Sequence, residues 1–358
     1  MAAASGPELG LVEGFFGRPW SWAQRREVMQ RLAPAGFGFH IYAPKADAFL
    51  RRRWREPHPD QEAQALADFA AACRAAGVRF GVGLSPFEAY LDFDSAAQEA
   101  LARKLAQLDA MGVRDLAVLF DDMRGDVDGL AGRLVEVAHF AAERTNAERM
   151  LICPVYYSDD PVLDKVFGQR PDRALEDLGA QLDPSIGVFW TGEEVCSREI
   201  SPGHLERVAE QLRRKPTLWD NYPVNDGPRM SRRLHLRAFT GRPASIGGHI
   251  AGHAVNPALQ PTLSCIPALT LAASYRLGEA YAYGAAFDAA ATKVLGAEFA
   301  GLLKGDMAGL QDVGLDLSAE RLARMRASYD AIDHPAAREI VSWLDGDDFV
   351  SAEDVQTQ

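Results

Sequence analysis

Two adjacent aspartates, Asp121 and Asp122, directly follow the apolar residues 116–120 (LAVLF). Two carboxylates held close together cannot both ionise cheaply, so one pKa is expected to rise, giving a protonated acid beside an anion. Adjacent residues of a strand point to opposite faces, so the pair can share a site only where the strand breaks, which Gly125 would permit. A solvated turn or a helix cap is the alternative reading, but a position at the end of a buried strand favours catalysis.

Polar residues also stand at the ends of the other apolar runs of the chain. They are Glu13 with Gly14, Lys45, Ser85, Tyr156 with Tyr157, Thr191, Trp219 with Asp220 and Asn221, His253, and Asn256. The loop LWDNYPVND adds Asn225 and Asp226. Amides and carboxylates bind hydroxyl groups by paired hydrogen bonds, and an aromatic face packs against a pyranose ring. This set of side chains therefore favours a sugar site.

Metal sites are the other chemistry open to these residues. The aspartate pair could hold magnesium if Asp220 and Asp226 were recruited to it. His249 and His253 are four residues apart, but they lack a nearby third ligand for zinc. We predict no metal and no cofactor.

Eight apolar runs that alternate with helical patterns must position these residues. The runs are 9–14, 37–44, 78–86, 115–122, 150–157, 186–192, 216–221 and 245–253, and the main helical stretches are 23–33, 61–75, 96–111, 130–143 and 202–214. Continuous apolar runs are typical of parallel strands that are buried on both faces. We predict an α/β fold, a (β/α)8 TIM-type barrel over residues 1–278, with its chemistry at the carboxyl ends of the strands. An open doubly wound sheet is the alternative, although no GxGxxG motif follows the first strand.

The strand pattern ends after residue 278. Residues 285–303, 318–332 and 335–344 look amphipathic, with Ser318 at a helix N-cap and Pro335 in a first helical turn. We predict a small helical region over residues 279–345 and a disordered acidic tail over residues 346–358.

Composition limits the partners of the chain. Its 358 residues carry a formal net charge of -12, which disfavours nucleic acid. The one basic run, residues 51–55 (RRRWR), is interpreted as a solvated face beside a packed tryptophan, with a mouth for an acidic ligand as the alternative. No apolar run approaches the ~20 residues that span a bilayer, and no secretory signal is recognisable. The four cysteines form no CxxC pair, so reduced thiols are expected. We predict a cytoplasmic protein without a membrane partner.

Seven stretches together resemble the β-N-acetylglucosaminidases of glycoside hydrolase family 84, the O-GlcNAcase type, over residues 11–275. These stretches are VEGFFGRPW, IYAPKAD, LFDDM, CPVYY, FWTGEEVCSREI, LWDNYPVND and VNP, in the order of the family. The resemblance implies a (β/α)8 barrel with helical additions. It also implies retaining, substrate-assisted removal of terminal β-linked GlcNAc through an oxazoline-type intermediate, because the acetamide oxygen of the sugar attacks C1.

The resemblance assigns each site residue a role. Asp121 would bind the acetamido N–H, and Asp122 would be the general acid and then the base. Tyr157 and Asn221 would lie at the acetamide, and Trp219 would form the wall of its pocket. The residues that would hold the sugar hydroxyls are Gly14 through its main chain, Lys45, Asp226 and Asn256.

The chain departs from the family pattern at two places. Phe16 stands where a tyrosine is common, and the segment after Asn256 (PALQPTLSC) is less polar than usual. The implied partner is a GlcNAc-bearing glycoconjugate or a glycosylated protein, while the sequence gives no oligomeric state. A non-catalytic GlcNAc-binding barrel and a metal-dependent barrel enzyme remain the alternative functions.

Overall fold

Eight parallel strands form a closed barrel in the computed structural model, which describes residues 6–358. The strands are β1 (Glu8–Glu13), β2 (Phe37–Tyr42), β3 (Arg79–Leu84), β4 (Asp115–Leu119), β5 (Arg149–Cys153), β6 (Gly187–Trp190), β7 (Thr217–Asp220) and β8 (Gly252–Val255). Each strand pairs in parallel with its sequence neighbours, and β1 also pairs with β8. The predicted (β/α)8 barrel is confirmed, and the open-sheet alternative is wrong.

Helices follow the strands and cover the barrel. They are α1 (Trp22–Leu32), α2 (Asp60–Ala75), α3 (Ser95–Ala110), α4 (Leu130–Ala142), α5 (Val162–Phe167), α6 (Ala174–Gln181), α7 (Pro202–Leu212) and α8 (Pro261–Leu277). Local signals explain several helix starts: a capping box of Ser21 and Gln24 begins α1, and Asp94 caps α3. The five helical stretches predicted for this region are found to within two residues.

The eighth strand differs from the expectation. Residues 244–248 form a short 3-10 helix, and β8 begins only at Gly252, near the end of the apolar run 245–253. The helix α8 that follows was not predicted, because most of its positions are buried and its sequence therefore lacks an amphipathic period.

Five more helices follow the barrel. They are α9 (Tyr283–Leu295), α10 (Ala297–Met307), α11 (Ala319–Asp330), α12 (Pro335–Leu344) and α13 (Ala352–Thr357). The amphipathic stretch 285–303 is divided at Gly296, whose φ of 83° ends α9. Apolar residues such as Phe299, Tyr329 and Trp343 share one core with α8, and the predicted division at residue 278 stays a prediction.

Residues 346–358 were expected to be a disordered tail, and in the structure they include α13. Ser351 and Asp354 form a capping box at the start of this helix, and Val350 just before it is fully buried. The burial of Val350 in the core shared with α8 holds the segment against the rest of the protein. No helix within residues 6–358 is both long and apolar enough to cross a membrane.

Candidate active site

A cavity of about 300 Å³ lies where the carboxyl ends of the strands meet. All nine predicted site residues line it: Gly14 after β1, Lys45 after β2, Asp121 and Asp122 after β4, Tyr157 after β5, Trp219 on β7, Asn221 and Asp226 after β7, and Asn256 after β8. Thr191, Val195 and Cys196 also line the cavity. The volume suits a single sugar residue rather than an extended chain.

The aspartate pair lies where strand β4 breaks into its loop. β4 ends at Leu119, and Asp122 takes the left-handed conformation with a φ of 60°, which aspartate tolerates better than most residues. Both carboxylates therefore reach the cavity. We had expected Gly125 to permit this turn, but Asp122 itself makes it. Gly125 instead packs against Tyr156, whose hydroxyl oxygen would lie 2.3 Å from a Cβ atom.

A buried ammonium group lies between the two carboxylates. Lys45 Nζ contacts Asp121 Oδ2 and is 3.1 Å from Asp122 Oδ2. Burial works to lower the pKa of Lys45, but Asp121 and Asp122 outweigh it and raise that pKa above its usual value. The lysine therefore stays charged at neutral pH.

The expected rise in the pKa of the acid is not what the structure shows for Asp122. Burial raises its pKa, but the positive charges of Lys45 and Arg51 outweigh burial, and the pKa is lowered. The expectation considered only the repulsion between the two carboxylates. It left out the charge of Lys45, which follows a different strand, β2. In the free protein Asp122 is therefore an anion.

The remaining polar atoms of the pair define two binding positions. Asp121 Oδ1 is buried and has no hydrogen-bond partner within residues 6–358. A buried carboxylate oxygen without a donor is costly, and an incoming N–H group would satisfy it. Tyr157 Oη donates to Asp122 Oδ1 at 3.3 Å, so its hydroxyl reaches the same end of the cavity.

Asparagine side chains connect the walls formed by β1, β7 and β8. Asn256 Oδ1 accepts from the Gly14 N–H at 3.1 Å, and Asn256 Nδ2 donates to Asn221 Oδ1 at 2.9 Å. Asn221 Nδ2 in turn donates to the Val195 carbonyl at 2.8 Å. The amide of Asn256 thus holds the wall together as well as facing the cavity.

An indole forms one flat wall of the cavity. Trp219 Nε1 donates to Asn221 Oδ1 at 3.1 Å, and Phe189 packs edge-on against the ring with centroids 5.2 Å apart. On the other side the ring lies against Gly14, where an added Cβ would be 1.9 Å from Trp219 Cζ2. Only glycine fits at position 14 while the indole stays in this place, and any larger residue would displace the indole.

Asp226 is a second acidic group in the cavity. Its Oδ2 accepts from the Phe16 N–H at 3.0 Å. Burial raises the pKa of Asp226 to about 6, and the charge of Asp122 adds to this effect. The departure at Phe16 therefore leaves its main-chain contact with Asp226 in place.

Several polar residues at the strand ends do not line the cavity. Glu13 is buried with Arg25 and His40, at 3.0 and 2.6 Å. Asp220 accepts two hydrogen bonds from Arg242, at 2.8 and 2.7 Å, and lies 3.0 Å from His253 Nε2. Ser85 and Tyr156 are likewise absent from the cavity wall. Because Asp220 is already paired, it cannot complete a magnesium site with Asp121 and Asp122.

The histidine pair does not form a site either. His253 is bound to Asp220 and Tyr275, while His249 lies 3.4 Å from Glu206. Within residues 6–358 no group of three or more His, Cys, Asp or Glu side chains is arranged to hold a metal ion.

The basic run is partly solvated, as interpreted, with one exception. Arg52, Arg53 and Arg55 are exposed and Trp54 is buried. Arg51 is buried too, and its guanidinium lies 5.6 Å from the ring centroid of Phe16. It contributes positive charge behind Lys45. No sequence signal distinguished it from its neighbours.

The last helix supplies a cavity residue that the sequence did not suggest. Val355 in α13 lines the cavity, although it lies in the segment expected to be disordered. The sequence of this short amphiphilic stretch does not indicate against which part of the barrel it packs.

Comparisons with known proteins agree with this geometry. Residues 9–304 match the model of the NAGidase family, described as β-N-acetylglucosaminidase. The curated proteins named Protein O-GlcNAcase from Rattus norvegicus and Mus musculus are each 32% identical over 276 residues, which is 75% of this chain and 30% of the relative. The chain thus spans less than a third of the length of these relatives. A solved structure, a mutant of the Thermobaculum terrenum O-GlcNAc hydrolase, matches with a TM-score of 0.77 at 26% identity, covering 94% of this chain and 80% of that one.

Proposed function

The chain belongs to the β-N-acetylglucosaminidase family, and from this premise we propose that it is an exo-β-N-acetylglucosaminidase. It hydrolyses terminal β-linked GlcNAc with retention, through attack of the acetamide oxygen of the sugar on C1. No protein nucleophile and no cofactor take part. The observation that carries the proposal is the placement of Asp121 and Asp122 in one sugar-sized cavity, with Asp121 Oδ1 awaiting a donor.

Asp121 binds and orients the acetamide. Its Oδ1 accepts the acetamido N–H, which directs the acetamide oxygen toward C1 and stabilises the positive charge that develops on the oxazolinium-like ring. Tyr157 turns its hydroxyl from Asp122 to the acetamide oxygen, and Asn221 lies beside the reacting group. Trp219 packs against the acetamide methyl.

Asp122 moves the proton. It protonates the glycosidic oxygen as the aglycone leaves, and it then takes a proton from the water that opens the oxazoline. Because Asp122 is an anion in the free protein, the acid must form as the sugar binds. A sugar that fills the cavity removes water from the carboxylate, and this desolvation raises its pKa.

Four other cavity residues are placed to hold the hydroxyl groups of the sugar. Lys45, Asp226 and Asn256 hold them, together with the main chain of Gly14, whose N–H is already used by Asn256. Its carbonyl is left to accept from a hydroxyl.

The substrate class is a GlcNAc-bearing glycoconjugate, which includes GlcNAc on Ser or Thr of a protein. The names of the relatives, Protein O-GlcNAcase and O-GlcNAc hydrolase, support a protein-linked sugar. The net charge of -12 disfavours polyanionic substrates and nucleic acid. We place the protein in the cytoplasm.

A chelator-controlled assay tests the proposal. Nitrophenyl β-GlcNAc and nitrophenyl β-glucoside are offered side by side, with and without EDTA. We expect release from the GlcNAc substrate alone, unchanged by EDTA, because the acetamide is the nucleophile. Binding of GlcNAc without release would indicate a sugar-binding barrel, and loss of activity in EDTA would indicate a metal enzyme; either result would overturn the proposal.

A further inference from the structure

The end of the chain returns to the mouth of the cavity. We call residues 346–358 the C-terminal strap; it contains α13, and its half-buried Val355 is part of the cavity wall. Apart from Val355, all residues that line the cavity belong to the barrel.

Two groups of the barrel hold the far end of the strap. The Gly17 N–H donates to Gln358 Oε1 at 2.8 Å. Arg52 donates to the carbonyls of Gln356 and Gln358, at 2.6 and 3.3 Å, and its guanidinium lies 4.6 Å from the ring centroid of Phe87. A cation at the carboxyl end of a helix is favourable, because the free carbonyls there carry partial negative charge.

The near end of the strap is buried more deeply. Val350 is fully buried and donates its N–H to Ser231 Oγ at 3.2 Å. Asp348 pairs with Arg18 at 2.7 Å and accepts from Gln260 at 2.9 Å. The strap is thus fixed at both ends, with Val355 between the two anchors.

The anchors place the strap on one side of the barrel. Gly17 and Arg18 follow β1, Arg52 follows β2, and Gln260 follows β8. In a ring of eight strands, β4 lies opposite β8, and β5 lies opposite β1. The strap therefore lies across the cavity from Asp122 and Tyr157, where the leaving group and the acetamide are bound in the proposed function.

We propose that the C-terminal strap is the end wall of the sugar site, which restricts hydrolysis to a GlcNAc whose ring hydroxyls carry no further substituent. This inference rests on the proposed function, because that function sets the orientation of the sugar. Val355 lines the cavity on the side of β1 and β8, the strands that lead into Gly14 and Asn256, which hold hydroxyl groups in the proposed function. A sugar or alkyl group on one of those hydroxyls would have to displace the strap.

The test removes the wall and extends the sugar. Three variants loosen the strap: a chain that ends at Val350, Val355→Ala and Arg52→Ala. The matched control is Arg53→Ala, because Arg53 is also exposed but pairs with Glu56 at 2.9 Å and does not contact the strap. The substrates are nitrophenyl β-GlcNAc, nitrophenyl β-N-acetyllactosaminide, whose GlcNAc carries a galactose, and nitrophenyl β-GlcNAc methylated on its primary hydroxyl.

We expect the ratio of kcat/KM for a substituted substrate to kcat/KM for the plain one to rise about tenfold or more in the loosened variants. The ratio should be unchanged in Arg53→Ala. A ratio that stays at the wild-type value for both substituted substrates, in folded Arg52→Ala and in the shortened chain, would overturn the proposal. A GlcNAc-peptide is assayed as a fourth substrate, and a change in kcat/KM confined to this peptide would also overturn the proposal, since it would place the strap beside the aglycone.

Calorimetric binding separates this result from the proposed function. Titration with free GlcNAc and with N-acetyllactosamine compares the same two ligands without turnover. Wild-type protein that does not hydrolyse nitrophenyl β-GlcNAc would refute the proposed function. Equal affinity of the wild-type protein for the two ligands would instead refute the end wall.

Discussion

The contact between Gly14 and the indole of Trp219 gives a prediction of defined size. In Gly14→Ala the new Cβ would lie 1.9 Å from Trp219 Cζ2 and 2.6 Å from Cη2. The indole edge must therefore move by at least 1.5 Å, which is the difference between 1.9 Å and an ordinary contact of 3.4 Å. The same movement pulls Trp219 Nε1 away from Asn221 Oδ1.

Both activity and stability should respond to this displacement. A misplacement of about 1 Å in a positioning group can cost about 10²-fold in rate, and we expect kcat/KM for nitrophenyl β-GlcNAc to fall by about that factor. Overpacking of a dense region typically costs about 1–3 kcal/mol in the free energy of unfolding. Steady-state kinetics and urea unfolding measure the two effects.

Two further variants test the cause. Gly203→Ala in α7 is the control, because within residues 6–358 no atom outside its own helix lies within 4 Å of the added Cβ. It should keep wild-type activity and be at least as stable as wild type, since alanine favours helix over glycine. Adding Trp219→Phe to Gly14→Ala should restore stability, because phenylalanine lacks the benzo ring that carries Cζ2 and Cη2. Wild-type kcat/KM and wild-type stability in Gly14→Ala alone would refute the reasoning.

Three further predictions follow from the charged groups. Lys45→Met removes the ammonium that lowers the pKa of Asp122, so the protonated acid persists to higher pH and the basic limb of the pH profile of kcat/KM should move to higher pH. Lys45→Arg keeps the positive charge and should leave this limb nearer its original pH. An unmoved limb in Lys45→Met would contradict the charge argument. Burial raises the pKa of Glu339 to about 7 from an ordinary 4.5, so between these pH values the folded protein holds a proton that the unfolded chain releases. The free energy of unfolding should therefore fall as pH rises through this window. Urea unfolding of Glu339→Gln should lack this fall, and a decline as steep as in wild type would contradict the prediction. Asp220→Ala leaves the buried Arg242 cation without its partner, and denaturant unfolding should show a loss of about 3–5 kcal/mol, whereas a loss under 1 kcal/mol would show that the pair is not buried as described.

The barrel could be predicted from the sequence because its strands are marked by local sequence patterns. Seven of its eight strands coincide, to within one residue at the amino end, with continuous apolar runs that end in polar residues, and this pattern depends only on neighbouring positions. The eighth strand is only four residues long, Gly252–Val255, and the apolar glycine-rich stretch before it imitated a strand. Helix α8 is buried at most positions, so it has no period to detect.

The residues of the site could be predicted from the sequence, but their ionisation could not. The resemblance indicated which residues converge, and all nine line the cavity. The ionisation of Asp122 depends on Lys45 and Arg51, which lie more than 70 residues away in the chain, so pairwise repulsion within the motif gave the wrong direction. Val355 could not be predicted at all, because its place depends on how the last helix docks.

The roles of the two aspartates are the central claim, and a leaving-group series tests them most directly. Rates are measured for aryl β-GlcNAc substrates with good and poor leaving groups in Asp122→Ala and Asp121→Asn. A good leaving group needs little protonation, so Asp122→Ala should retain far more of its rate with dinitrophenyl than with methylumbelliferyl substrates. Asp121→Asn should impair both alike, because in each substrate the acetamide oxygen must bond to C1 as the bond from C1 to the leaving group breaks. Equal losses with both leaving groups in Asp122→Ala would contradict the account.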